Sequence, residues 1–438
     1  MAALNKKARW AMWSTVLALF VFPTACDTLS NPLEVEPASR IPAAQIESAQ
    51  NAQILSDGAI GDFECAFNSY TVLGGVIGEE FVYAQQTASR APYDRRNMTK
   101  DDSDYGVNSC TNNLGVYTPL QIARQSNENL LALLKTWTDA EVSAGAGSPN
   151  RTNLIGIAAA YAGYSYVLLG EGFCTMAIST VNLDKSLTYG GEIQRDSVFK
   201  LAIARFGEAI TAATTANNTS IRNMAYLGRA RARLDIGDYA GAKADAQQIP
   251  SGFLRVVSAS DANARRQNRV AAENGGTINR TQSIADPYRN LNDTRVPVTA
   301  TTLVSATGVT HYYQTKYPTT STPLPLATYE EAQLIIAEAD IRANSLATAL
   351  PIINASRARG GQTVPFTGTT QAEYLAELID QRRRELFLES HHLGDLIRYN
   401  LPFVPAAGTP YHFGGTYASQ RCLPLPAAER LNNPLIGS

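Results

Sequence analysis

The sequence predicts a mainly α-helical protein: paired helices, two long polar loop regions and a minor β-hairpin. Three observations carry that prediction. Apolar residues recur at helical spacing over long segments, and no alternating β-pattern dominates. Segments rich in Ala, Gly and Tyr, near 151–250 and 328–400, read as helices that pack closely in pairs. Between and before them, residues 84–118 and 251–327 are polar, turn-rich and dotted with Tyr. The chain has 438 residues, 45% of them hydrophobic, enough to bury a large core. Lys+Arg 37 against Asp+Glu 39 leaves a net charge of −2. That balance does not suggest a surface built for phosphate backbones, so nucleic acid is not an expected partner.

Taken in order, Lys6, Lys7 and Arg9 precede the apolar run WAMWSTVLALFVF at 10–22. As a helix the run spans about 20 Å, short of a ~30 Å hydrocarbon core. It therefore reads as a secretory signal rather than a permanent span. The PTAC that follows, with Ala25 before Cys26, is similar to the end of a bacterial lipoprotein signal, although Pro23 stands where an aliphatic residue is usual. Cleavage before Cys26 and acylation of its thiol are expected, ahead of ordinary signal cleavage nearby. The expected divisions are a signal at 1–25, a lipidated tether at 26–40 and a folded domain at 41–438. Cys65, Cys110, Cys174 and Cys422 then remain, and four cysteines in an exported chain suggest two disulfides. Three connectivities are possible. Cys65–Cys110 is favoured because both lie in the N-terminal region, which leaves Cys174–Cys422. Their spacing has no CxxC pair, so zinc is not expected.

The first folded stretch, 41–81, reads as two helices. In YTPLQIARQSNENLLALLKTW, Leu120, Ala123, Leu130, Leu131 and Leu134 can share one helix face. NLIGIAAAYAGYSYVLLGEGFCTMAI is a helix rich in small residues and Tyr. In AYLGRARARLDIGDYAGAKADAQQIP, Leu227, Gly228, Ala230, Gly237, Tyr239 and Ala242 fall where a tetratricopeptide repeat places such residues. SYVLLGEGFCTMA resembles a degenerate earlier copy. EEAQLIIAEADIRANSLATALPIINASRARGG resembles a later one, closed by Gly360 and Gly361. Within the second loop region, TLVSATGVTHYYQTKY alternates Val and Tyr with polar residues about a Thr-Gly turn, which predicts the hairpin.

The most informative stretch is RRRELFLESHHLGDLIRYN at 382–400. Its charges can pair at helical spacings, Glu385 with Arg382 and Glu389 with Arg384 or His392. It has no HExxH spacing, and adjacent histidines point about 100° apart on a helix. A scaffold role is therefore expected for Arg382, Glu385, Glu389, His392 and Asp395, and neither metal nor catalysis. Arg382, Arg383, Arg384, Glu385, Leu386, Glu389, Asp395 and Leu396 match the C-terminal hallmark of the RagB/SusD family, which the chain as a whole resembles. Gln381, Ser390 and His392 depart from it, standing for an acid, a glycine and an arginine. YEEAQLIIAEAD and CLPLPAAERLNNPLIG resemble two further family segments. The resemblance implies a SusD-like helical body with tetratricopeptide-like pairs and long ligand-binding loops.

It also implies a cell-surface lipoprotein of the outer membrane, anchored by lipid on Cys26. Such a protein binds an oligosaccharide or a peptide without catalysis and hands it to a TonB-dependent transporter of the SusC/RagA kind. A tetratricopeptide-type scaffold for a protein partner is the alternative. The chain has no GxSxG and no Gly-rich phosphate loop; Glu79-Glu80 and Asp101-Asp102 with Asp104 are candidate paired acids for glycosidase work, a pattern equally common in solvated loops. Neither a cofactor nor catalytic residues are expected. With twenty Tyr but three Trp and four His, Tyr is the aromatic resource for stacking on sugar rings or peptide side chains. Tyr93, Arg95, Asn97 and Tyr105 in the first loop region, and Tyr288, Arg289, Tyr312 and Tyr313 in the second, are the candidate ligand contacts. The other reading of each Tyr is that it pins its loop to the helical body.

Overall fold

The computed structural model describes residues 46–437 other than 112, 113, 277 and 278; the signal segment, Cys26 and the tether lie outside the described residues. The stretch expected to form two helices contains one long helix, α1 (Ala52–Ile77). Gly58 and Gly61 lie inside it, at a cost of about 1 kcal/mol each relative to Ala. From Phe63 to its end every residue is buried, and that burial outweighs the glycines. The first loop region holds β1 (Phe81–Tyr83) and two short helices, α2 (Ala91–Arg95) and α3 (Ser103–Val107). Next, α4 (Tyr117–Thr136) buries the five residues whose spacing predicts its inner face. α5 (Asp139–Ser143) begins in a capping box between Thr138 and Glu141. α6 (Arg151–Gly172) begins on the Asn150 side chain, which accepts the Asn153 N–H.

Two small antiparallel ladders follow, pairing β2 (Thr175–Ala177) with β5 (Glu192–Gln194) and β3 (Thr180–Val181) with β4 (Leu187–Thr188). Then come α7 (Arg195–Thr215), α8 (Thr219–Asp235) and α9 (Tyr239–Ala246). α6 packs against α1, α4, α7 and α8 and is the centre of the core. Among the described residues it is the one helix long and apolar enough to cross a membrane, and 83% of its apolar window is buried, as in a core helix. α8 and α9 form a helix pair that turns at Gly237, with φ +78°. A Cβ on Gly228 would lie 2.3 Å from the Phe206 ring, and one on Gly163 2.7 Å from it. Glycine at both positions is what lets α6 and α8 close on that ring.

The second loop region is built rather than structureless. β6 (Leu254–Val257) pairs with β10 (Leu324–Thr328), β7 (Gln282–Ile284) with β1, and β8 (Val298–Val304) with β9 (Thr310–Gln314), all antiparallel. The β8–β9 hairpin is the one predicted, and α10 (Arg269–Asn274) lies among these strands. Buried asparagines hold the region to the body. Asn68 on α1 accepts the Arg269 N–H (3.1 Å). Asn274, fully buried, donates to Gln282 O (2.8 Å) and Tyr312 O (3.0 Å) and accepts the Gln314 N–H (2.8 Å). Asn274→Ala is expected to cost about 2–3 kcal/mol, because it strands a buried N–H and weakens two carbonyls. Thermal unfolding measures the loss. Faster hydrogen exchange at the Gln314 amide locates it, and unchanged exchange there refutes this account.

The later helix pair is α11 (Tyr329–Arg342) and α12 (Leu346–Arg359), closed by Gly360 and by Gly361 at φ +83°. α13 (Gln371–Glu385), α14 (His392–Arg398) and α15 (Ala427–Asn432) complete the chain. Packing runs from α1 through α4, α6, α7, α8, α9 and α11 to α12 and α13, a solenoid of successively packed helices. Cys65 is bonded to Cys110 and Cys174 to Cys422, with Cα–Cα separations of 5.6 and 5.2 Å.

The hallmark stretch is not one helix. α13 ends at Glu385, a turn spans 386–391, and α14 restarts at His392. The within-helix pairs expected for Glu385 and Glu389 are therefore replaced by partners from other elements. Glu385 pairs with Arg295 (2.8 Å) and Arg359 (3.0 Å), and Glu389 with Lys316 (2.6 Å). Arg382 reaches across the turn to Asp395 (2.9 and 3.1 Å). His392 Nε2 stops 3.7 Å from Glu79, beyond hydrogen-bond reach. Ser390, in the family's glycine position, sits at φ +66°, where glycine is favoured, with its Oγ 2.5 Å from Thr71 Oγ1. Among the described residues no group of three or more His, Cys, Asp and Glu could hold a metal.

Candidate functional site

The site grows from the β1–β7 ladder, in which Phe81 faces Ile284 and Tyr83 faces Gln282. Ser283 joins the hairpin to this ladder: its hydroxyl donates to Thr310 O (2.9 Å) and accepts the Tyr312 N–H (2.9 Å). The hairpin turns at 305–309, with Gly308 at φ +83°. A third segment, 404–417, closes the far side. Its Tyr417 N–H bonds Thr409 O, and the following Ala418 N–H bonds Arg95 O (2.8 Å). His412 Nε2 donates to Tyr83 O (2.8 Å), and burial lowers the imidazole's pKa. Under this segment Asp94 accepts the Tyr83 N–H (2.9 Å), yet burial pushes its carboxyl up to about 7. The Arg96 guanidinium lies between the Phe403 and Tyr417 rings, 4.9 and 4.8 Å from their centroids.

Two clefts flank the hairpin turn. The smaller, about 300 Å³, lies between Val82, 285–289, 308–310 and the 404–417 segment, with Arg289, His412 and Tyr417 in its wall. The larger, about 600 Å³, is lined by Ala84–Thr87, Arg280, Leu303–Ala306 and His311. Both are of the size that takes small ligands. Loops and strands supply the lining of both. The solenoid holds these loops without lining either cleft.

The predicted contact residues divide. Arg289 lines the smaller cleft, donates to Ile284 O (2.7 Å), pairs with Asp286 and lies 4.2 Å over the Tyr312 ring. Tyr313 stacks on His311 of the larger cleft, centroids 6.2 Å apart. Arg95 lies 5.8 Å over Tyr411, and the Asn97 Oδ1 is buried without a hydrogen-bond partner. Tyr93, Tyr105 and Tyr288 are corrected: they are 2%, 0% and 0% exposed and offer no face to a ligand. They pin loops, as Tyr288 does by stacking on Phe387 at 4.8 Å. The 404–417 segment is absent from the sequence-based site. Its signal is the same turn-and-Tyr composition that marks the other two loops: Pro405, Gly408, Pro410, Tyr411, Gly414, Gly415 and Tyr417.

Most of the paired acids are engaged within the fold; Asp104 accepts from Asn108 Nδ2 (3.1 Å). Glu80 accepts the Leu388 N–H (2.7 Å), Glu79 accepts the Val404 N–H, and Asp102 accepts the Thr99 N–H (2.6 Å).

Comparisons with known proteins agree on the fold. Residues 260–423 match the model of the SusD family. No curated protein matches the chain in sequence. A SusD superfamily protein from Bacteroides vulgatus superposes with a TM-score of 0.66 at 14% identity, over 89% of this chain and 98% of that one. A SusD-like carbohydrate binding protein from the same organism gives 0.64 at 14% identity, over 89% and 97%. Surface glycan-binding protein A from Bacteroides uniformis gives 0.66 at 14% identity, over 88% and 98%. With the 382–396 hallmark inside the matched residues, the chain is similar to the SusD family over its second loop region and C-terminal half, on a fold that it shares with SusD superfamily structures.

Proposed function

We propose that this protein is a non-catalytic, cell-surface binder of an oligosaccharide, held in the clefts beside the 305–309 turn and passed to a TonB-dependent transporter of the outer membrane. The observation that carries this reading is the site's construction: three loop segments converge on two clefts above a rigid solenoid. Arg289, packed over the Tyr312 ring, presents a flat cation in the wall of the smaller cleft beside its polar groups, a combination that suits sugar hydroxyls. Two structures of the same fold are a carbohydrate binding protein and a surface glycan-binding protein. The commitment of Glu79, Glu80 and Asp102 to backbone N–H groups supports capture rather than hydrolysis.

The anchor belongs to the same proposal: a signal at 1–25, lipid on Cys26, a tether at 26–40 and the domain at 41–438. The two disulfides support an oxidising compartment. A ligand held over a transporter gains effective concentration at the pore, which needs no chemistry. Calorimetry of residues 27–438 against a panel of neutral and acidic oligosaccharides and peptides tests the reading. Saturable oligosaccharide binding is expected, weakened about three- to tenfold in Arg289→Ala, the span of about one hydrogen bond. Binding of peptides alone would reassign the cargo, and binding of nothing in the panel would overturn capture.

A further inference from the structure

The charge in the larger cleft has no counterpart. Arg280 is exposed in its wall, and no carboxylate lines the cleft with it; the other polar lining is Gln85, Gln86, Thr87, Ser305 and His311. Neighbouring arginines of the loop region have carboxylate partners. Arg90 and Arg269 share Glu273 (3.3 and 3.0 Å), Arg289 pairs with Asp286, and Arg295 pairs with Asp293 (2.7 Å). No ion pair or hydrogen bond to Arg280 is found among the described residues. Gln85 and Gln86 are turned to protein groups, Thr281 Oγ1 at 3.4 Å and Ala306 O at 3.3 Å.

His311 lines the same cleft. Its ring is 2% exposed, and its Nε2 lies 3.1 Å from Gly276 O, so Nε2 carries the proton of the neutral ring. Its Nδ1 is then an acceptor, buried without a partner. Burial lowers the imidazole's pKa, and the Arg280 charge lowers it further. His311 is thus no second cation. Arg280 is the one Lys or Arg among the residues that line the cleft.

We propose that the larger cleft selects anionic oligosaccharides, with Arg280 as the contact for a sugar carboxylate or sulfate ester. The inference rests on the carbohydrate-binding reading above and names its substrate class. Guanidinium forks match the two oxygens of a carboxylate or sulfate, and a charge-assisted bond is about twice as strong as a neutral one. The exposed amides and hydroxyls round Arg280 suit the ring hydroxyls of the same ligand.

The test uses residues 27–438 and three probes: tetragalacturonate, its fully methyl-esterified form and a sulfated tetrasaccharide. Esterification removes the charge and keeps the sugar. Tetragalacturonate is expected to bind about tenfold or more tighter than its ester. Raising salt from 20 to 300 mM should weaken the acid and spare the ester. Arg280→Gln should bring the acid down to the ester's affinity, with its thermal melt checked against wild type. In NMR titration the His311 pKa should rise when the acid binds, because the ligand's charge offsets that of Arg280. Tighter binding of the sulfated probe, lost in Arg280→Gln, supports the same class and assigns sulfate as the group. Equal affinity for acid and ester, or a preference that survives Arg280→Gln, overturns the inference and leaves oligosaccharide capture standing. No binding of any saccharide overturns both.

Discussion

Replacing Cys174 and Cys422 together by serine is expected to destabilise the folded chain by about 5 kcal/mol, the largest effect of any change considered for this protein. The bond joins residues 248 positions apart, so its loss releases the denatured chain from a very long loop. The same chain-entropy relation gives about 4 kcal/mol for Cys65–Cys110, whose separation is 45. Position adds to length. Cys174 follows directly on α6 and its capping residue Phe173, and its N–H bonds Leu423 O (2.9 Å). Leu423 N–H returns to Gly172 O (2.8 Å). The bond therefore fastens the closing segment to the central helix beside two backbone hydrogen bonds. Urea unfolding of the double serine variant measures the change. A loss below about 1 kcal/mol would show that the backbone contacts hold this joint without the covalent link.

What the sequence discloses here follows from the range over which each feature is decided. The inner face of α4 is legible because Leu120, Ala123, Leu130, Leu131 and Leu134 repeat at the helix's own period. The α8–α9 pair is legible because Gly237 marks its turn, a local demand. The hairpin at 298–314 is legible for the same reason. Burial of a loop Tyr is not. Tyr288 and Tyr312 stand in similar polar surroundings in the sequence, yet Tyr288 is sealed by Phe387 and His392, which arrive from the far end of the chain. Ion-pair partners behave likewise. Helical spacing offers Glu385 and Glu389 partners on their own segment, but the turn at 386–391 points Glu389 at Lys316. Local spacing lists the partners within reach, and tertiary packing chooses among them. The third loop, 404–417, was legible in composition but carries no periodicity to show that it joins the other two.

The second large effect is expected at Arg382, inside that hallmark stretch. Arg382→Ala should cost about 3–5 kcal/mol, since it leaves a buried carboxylate short of its partner. Arg382 and Asp395 are 4% and 8% exposed in their side chains, and two hydrogen bonds join them. Asp395 is also held by Arg398 (2.7 Å), which in turn bonds the fully buried Glu338 (2.5 Å). Burial alone would raise the Asp395 carboxyl; the Arg382 and Arg398 guanidiniums outweigh it and hold the group well below the usual carboxylate range. The sign of the pH dependence follows. A carboxyl depressed in the folded state adds stability above its unfolded pKa of about 3.9, and that stability fades as pH falls toward the folded value. Wild type and Arg382→Ala should therefore differ fully at neutral pH and converge in strong acid. The double variant Arg382→Leu/Asp395→Leu should recover much of the loss, because an apolar pair of similar size leaves no charge stranded. Oligosaccharide affinity measured well below the melting temperature should not change, since Arg382 lines neither cleft. Loss of binding at full stability would make this network part of the site rather than the scaffold beneath it.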